Sequence, residues 1–253
     1  MAIVRLRAVD LKQALETGAL SVHYQPQVEI ATGKLAGVEA FVRWPHAVYG
    51  MLGPSDIIPV VEQAGLHVEF DRWVVGAICR QAKKWRADGF AVPVVAANVW
   101  SETLRRPDAL RLIDALAETG VDPTTIELEC PRGSTVDPKL TKALVAIQAL
   151  GVRLASEEYA TGARPRWILS FDTLKIPYPI SRDHVANAGA IVAVVAEARS
   201  KGARVVADSV ESAEQEQALA SLGVTIVQGY LYGPEVTPAE LPRLLKRPGA
   251  APA

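Results

Sequence analysis

Cysteine is scarce in this sequence: of 253 residues only Cys79 and Cys130 carry a thiol. Neither has a second cysteine or a histidine at the short spacing of a zinc site, so neither a zinc finger nor a disulfide framework is built from them. An excess of charge of either sign is also missing. With 27 Lys and Arg against 28 Asp and Glu, the formal net charge is −1, and no basic field is available to hold a nucleic-acid polymer. No stretch approaches the roughly 20 uninterrupted apolar residues of a membrane span. At the N-terminus, Arg5, Arg7 and Asp10 interrupt any signal-peptide pattern. Low-complexity tracts and internal repeats are absent as well. These absences predict a cytoplasmic protein that neither binds a nucleic-acid polymer nor inserts directly into a membrane.

What is present is enough apolar sequence, 49 % of the chain, for a large core. The length suits one barrel domain over residues 1–253, with a core from about 11 to 245 and a disordered tail at 246–253. β-Branched runs of strand length fall at residues 22–28, 35–44, 92–100, 125–130, 152–159, 173–176, 203–210 and 225–230. Helical spacing fills most of the gaps, at 54–64, 69–88, 101–118, 137–150, 182–200, 213–222 and near 238–245. The order predicts an α/β fold, a (β/α)8 barrel of the TIM type. One irregularity is expected at its start: only the ATGK turn at 31–34 joins the first two strands, so the first strand should run antiparallel to the rest.

In such a barrel the functional residues gather at the carboxyl ends of the strands. Asn98, Glu129, Glu157, Glu158, Asp208 and Gln228 close their apolar runs, Lys175 lies in TLKI, and Glu39 lies in an earlier strand. Taken singly, each is an ordinary helix cap or rim residue. Taken together, five carboxylates at one mouth repel one another unless cations neutralise them. The all-oxygen donor set points to Mg2+ or Mn2+ rather than zinc, and a carboxylate shared by two metals is how a two-metal phosphodiester hydrolase is built.

The motifs then resemble a known family. YQPQV at 24–28, GVEAFVRW at 37–44, GPSDIIPVVEQAGL at 53–66, AAN at 96–98, ELE at 127–129, TLKI at 173–176, VVADSVE at 205–211 and VQGYLY at 227–232 occur in this order. They are similar to the EAL domains, barrel phosphodiesterases of the bacterial second messenger cyclic di-GMP. The resemblance implies that Glu39, Asn98, Glu129 and Glu157 hold one metal, and that Glu157, Glu158 and Asp208 hold a second. It implies that Lys175 orients the attacking water or balances its charge, giving a catalytic set of Lys175, Glu157, Glu158 and Asp208. It also implies that Gln25, Arg43, Glu211 and Gln228 hold the nucleotide.

The departures from that pattern are specific. Glu157-Glu158 stands where the family has Asp-Asp, Asp208 where it has Glu, Arg132 where it has a loop-bracing Glu, Pro177 where it has Asp, and Phe41 in place of the signature Leu. The charges at the metal positions survive while the side-chain lengths change, and metal distances tolerate only a few tenths of an ångström. The expectation is a weak or inactive metal-dependent phosphodiesterase that still binds cyclic di-GMP as a sensor. An active enzyme giving pGpG is the alternative, and a protein-interaction scaffold without nucleotide is a further one. A homodimer or a signalling-protein partner is compatible with each.

Overall fold

The computed structural model describes residues 6–131, 134, 136–156 and 169–244. The described residues form nine strands: β1 (Ser21–Glu29), β2 (Leu35–His46), β3 (Gly50–Leu52), β4 (Val95–Asn98), β5 (Ile126–Glu129), β6 (Arg153–Ser156), β7 (Thr173–Ile176), β8 (Arg204–Ala207) and β9 (Ile226–Gln228). Their hydrogen-bonded order is β1-β9-β8-β7-β6-β5-β4-β2, and a β1–β2 pairing closes the ring into an eight-stranded barrel. The short β3 pairs antiparallel with the end of β2, outside the ring.

β1 runs antiparallel to both of its neighbours, β2 and β9, and every other neighbouring pair in the ring is parallel. The cause is the turn expected from sequence. The Gly33 N–H donates to the Glu29 carbonyl at 2.8 Å and the Glu29 N–H to the Lys34 carbonyl at 2.9 Å, which leaves no room for a crossover. β5 and β7 are buried at every position, as strands covered on both faces must be.

The helices differ from the sequence expectation in three places. The single helix expected over 101–118 is broken into Ser101–Leu104, a 3-10 turn at Ala109–Ile113, and Asp114–Thr119. Pro107 accounts for the break, because it lacks an N–H and pushes the residue before it out of helical geometry. The helix expected over 182–200 is split into Tyr178–Arg182 and Ala188–Lys201. A helix at Ala8–Thr17, unmarked by apolar spacing, begins where the Asp10 carboxylate accepts the backbone N–H of Arg7 at 3.2 Å. No helix among the described residues is long and apolar enough to cross a membrane.

Candidate functional site

The parallel strands carry their last residues to one end of the barrel, and six of the residues expected there form one hydrogen-bonded cluster. Lys175 Nζ lies 2.8 Å from Glu39 Oε2 and 2.8 Å from each oxygen of Glu129. Asn98 donates to Glu39 Oε1 at 2.9 Å. Gln228 Nε2 donates to Glu39 Oε2 at 2.8 Å and to Gln25 Oε1 at 3.0 Å. Register explains the convergence: Gln25 and Glu39 are direct partners across β1 and β2, and Asn98 and Glu129 across β4 and β5.

Two carboxylates share one ammonium here, and all three side chains are at most 5 % exposed. Burial, followed by repulsion from Glu39, pushes the Glu129 carboxyl up to about 8 against the pull of Lys175. Burial works against the Lys175 charge, but Glu129, Glu39 and Asp208 outweigh it and hold that ammonium well above its ordinary value. The other end of the barrel shows the contrast. Glu127, two residues earlier on β5, is met by Arg204 at 3.3 Å, Arg153 at 3.4 Å and the Thr173 hydroxyl at 2.6 Å. Glu127 is thus met by two guanidiniums, whereas Glu39 and Glu129 compete for one ammonium.

The donor chemistry of the mouth fits a hard divalent cation. Glu39, Asn98 and Glu129 offer only oxygen ligands once the Asn98 amide turns, and two carboxyls that compete for one ammonium are groups such an ion would hold ionised. Among the described residues no further His, Cys, Asp or Glu completes a three-residue metal cluster. Glu157 and Glu158, and Arg132 with them, lie outside the described residues.

Of the remaining expected residues Asp208 acts on the cluster, as one of the charges that raise Lys175, whereas Arg43 and Glu211 make their contacts elsewhere. Asp208 follows β8; its backbone N–H donates to the Ile176 carbonyl at 2.9 Å and its Oδ1 accepts the Ser209 N–H at 2.6 Å. Ser209 sits at φ +57, a left-handed conformation uncommon for a residue that carries a Cβ. Arg43, further along β2, is paired with Glu235 at 3.5 Å. Glu211 is exposed, and its N–H donates to Gln215 Oε1 at 2.9 Å.

Beside the cluster a cavity of about 480 Å³ is shared by Asn98 and Glu129 and walled by Phe41, Ile58, Phe70 and Trp100. A smaller one of about 100 Å³ reaches Lys175 and Ser156. Two residues of this region gave no functional signal in the sequence. Gln27 donates to Gln228 Oε1 at 3.0 Å, and Asp71 accepts the Trp100 N–H at 2.9 Å just beyond Asn98. Asp71 is detectable in principle, since a carboxylate on the buried stripe of the helix His67–Ala87, beside Phe70 and Val74, requires a polar partner.

Residues 8–235 match the EAL domain family. The chain belongs to that family. This EAL domain is 32 % identical over 236 residues to the bifunctional diguanylate cyclase/cyclic di-GMP phosphodiesterase MucR of Pseudomonas aeruginosa, covering 88 % of this chain and 34 % of that protein. It is 26 % identical to the oxygen sensor protein DosP of Escherichia coli, over 92 % of this chain and 30 % of that one. It overlays on the PaMucR phosphodiesterase in complex with c-di-GMP with a TM-score of 0.85 at 29 % identity, covering 92 % of this chain and 98 % of the other. The FimX EAL domain of Xanthomonas citri in complex with c-diGMP shares the fold, with a TM-score of 0.78 at 23 % identity over 91 % and 93 % of the two chains. The chain spans about a third of the length of the curated relatives it matches.

Proposed function

We propose that this EAL domain binds cyclic di-GMP at the barrel mouth through a divalent-metal site and hydrolyses it slowly or not at all. The observation that carries the reading is the buried Glu39–Lys175–Glu129 cluster, with Asn98 and Gln228 donating into it, at the edge of an apolar cavity large enough for a purine base. Glu39, Asn98 and Glu129, with Glu157, would hold one Mg2+ or Mn2+; Glu157, Glu158 and Asp208 would hold a second. Bound there, such ions would polarise the phosphodiester and lower the pKa of an attacking water.

The chain's own residues supply the rest. Lys175 keeps the two carboxylates together and carries positive charge toward the position of the attacking water. Phe41 and Trp100 offer flat apolar walls to a guanine, and Arg43 a guanidinium to a phosphate. Gln228, at 0 % exposure, serves the nucleotide by orienting Glu39, Gln25, at 6 %, stands behind Gln228, and Glu211 would meet the nucleotide from the exposed surface. Slow turnover follows from the Glu157-Glu158 and Asp208 substitutions, which alter ligand length at the second metal.

Two experiments test this. Calorimetric titration of cyclic di-GMP, with calcium present to suppress turnover, should give saturable binding; no heat at high micromolar nucleotide would return the domain to a scaffold role. Incubation with Mg2+ or Mn2+ should then yield pGpG slowly or not at all, and brisk turnover would establish the working enzyme instead.

A further inference from the structure

We infer that Gln27 is a positioning residue: by donating to Gln228 it fixes the direction in which amide hydrogen bonds run into Glu39. The inference deepens the metal-site reading above and rests on it for its functional consequence. Gln27 and Gln228 are direct partners across β1 and β9, and both side chains are fully buried inside the barrel. Gln27 Nε2 donates to Gln228 Oε1 at 3.0 Å, and Gln228 Nε2 donates onward to Glu39 Oε2 and to Gln25 Oε1. Gln25 in turn donates to the Gly233 carbonyl at 3.3 Å.

The polarity of this chain is forced. Glu39 as a carboxylate only accepts, so Gln228 must present its NH2 to it and turn its carbonyl away. That carbonyl then needs a donor in a dry interior, and Gln27 provides it. The remaining end of the chain carries the cost. Gln27 Oε1 is buried with no hydrogen-bond partner, a condition that native interiors rarely tolerate. It faces Gly37, where an added Cβ would lie 2.8 Å from that oxygen, so the strand opposite is shaped to admit the side chain. A glutamine that leaves its own carbonyl unsatisfied is poorly chosen for stability. It is well chosen for holding Gln228 in one orientation, as partners behind a metal ligand do.

This separates positioning from packing. Gln27→Leu keeps the volume, removes the orphaned oxygen and removes the donor. The variant trades the orphaned Gln27 oxygen for an orphaned Gln228 carbonyl, so it should melt within a few degrees of the parent, whereas a Gln27 that served only the stability of the fold would make it melt well below. Its affinity for Mn2+, by calorimetry, should fall at least tenfold. Independently of any metal, hydrogen exchange of the Gln228 side-chain NH2, followed by NMR in the metal-free protein, should accelerate at least tenfold as that amide loses its fixed direction. Gln27→Met serves as the second variant should Leu fail to fold. Unchanged Gln228 exchange in the folded variant overturns the inference. Unchanged Mn2+ affinity with accelerated exchange overturns its functional half. A parent that binds no Mn2+ overturns the metal reading, and the exchange measurement still decides the role of Gln27.

Discussion

Glu129 grips Lys175 with both carboxylate oxygens, each 2.8 Å from Nζ. Removing the ammonium would leave Glu39 and Glu129 facing each other without a cation in the barrel, and breaking a buried pair in this way costs about 3–5 kcal/mol. Lys175→Met is therefore expected to lose about that much stability in chelator. It should also gain more than the parent from millimolar Mn2+, because a hard cation offsets the same two carboxylates. Urea denaturation of both proteins with and without metal checks this; an equal metal increment would place the ion elsewhere.

Asp71 gives a pH signature. Burial pushes its carboxyl up to about 7, above the ordinary value of 3.8 that an unfolded chain would show. The folded state thus holds the proton more tightly than the unfolded one. The stability this gives is complete below about pH 4 and is lost as pH rises through about 7. Asp71→Asn keeps an acceptor for the Trp100 N–H and cannot ionise. It should be more stable than the parent at pH 8, on the order of 2 kcal/mol, with the gap closing toward pH 4. Urea midpoints measured between those values test the slope; parallel curves would show that Asp71 does not titrate in this range.

Gly229 holds the bend that delivers Gln228. Its φ is +151, and an added Cβ would lie 2.2 Å from the Val210 carbonyl oxygen and 2.3 Å from its nitrogen. The same Val210 bonds the Gln228 carbonyl at 2.9 Å and the Leu231 N–H at 3.0 Å, so the backbones cannot part without losing both. Gly229→Ala is expected to cost more than about 3 kcal/mol. A melting temperature within a few degrees of the parent would contradict the close approach.

Arg43 is held only loosely by its carboxylate. Its 3.5 Å distance to Glu235 is longer than a charge-assisted hydrogen bond, so a phosphate that made a closer contact would replace the carboxylate. Arg43→Ala should weaken cyclic di-GMP binding by about 1.5–3 kcal/mol, the value of one charge-assisted contact. Calorimetry in calcium measures it, and an unchanged affinity would remove Arg43 from the nucleotide site.

The legibility of this molecule in its sequence follows from its architecture. All eight barrel strands are readable because strands buried on both faces are apolar runs, and β7 is read to the residue at 173–176. β3 escapes because three residues carry no period, and the Ala8–Thr17 helix because only Leu11 and Ala14 of its face are buried. The strand-end residues are legible in position, because the strand–helix alternation sets the last residues of the strands at one barrel mouth. Gln27 is not, because its partner lies 201 positions away and a polar residue inside an apolar strand does not announce which distant group it serves.

Asp208 bears on why catalysis should be slow and how it could be repaired. Its Oδ1 accepts the N–H of the next residue, Ser209, at 2.6 Å, so the short carboxylate is tied to its own turn. A glutamate at this position carries one more methylene and reaches roughly an ångström further, while Glu157 and Glu158 are each one methylene longer than the aspartates of the family motif. Metal geometry at a two-metal site is held to a few tenths of an ångström around a separation of about 3.5–4 Å, so these offsets matter more than the conserved charge. If length is the defect, Glu157→Asp, Glu158→Asp and Asp208→Glu together should raise Mg2+- or Mn2+-dependent formation of pGpG at least tenfold over the parent. The two aspartate changes alone should give less, because the second metal would still lack its partner from the β8 side. A triple variant as slow as the parent would instead place the lesion at Arg132, where a positive side chain replaces a carboxylate brace that no change of metal ligand restores.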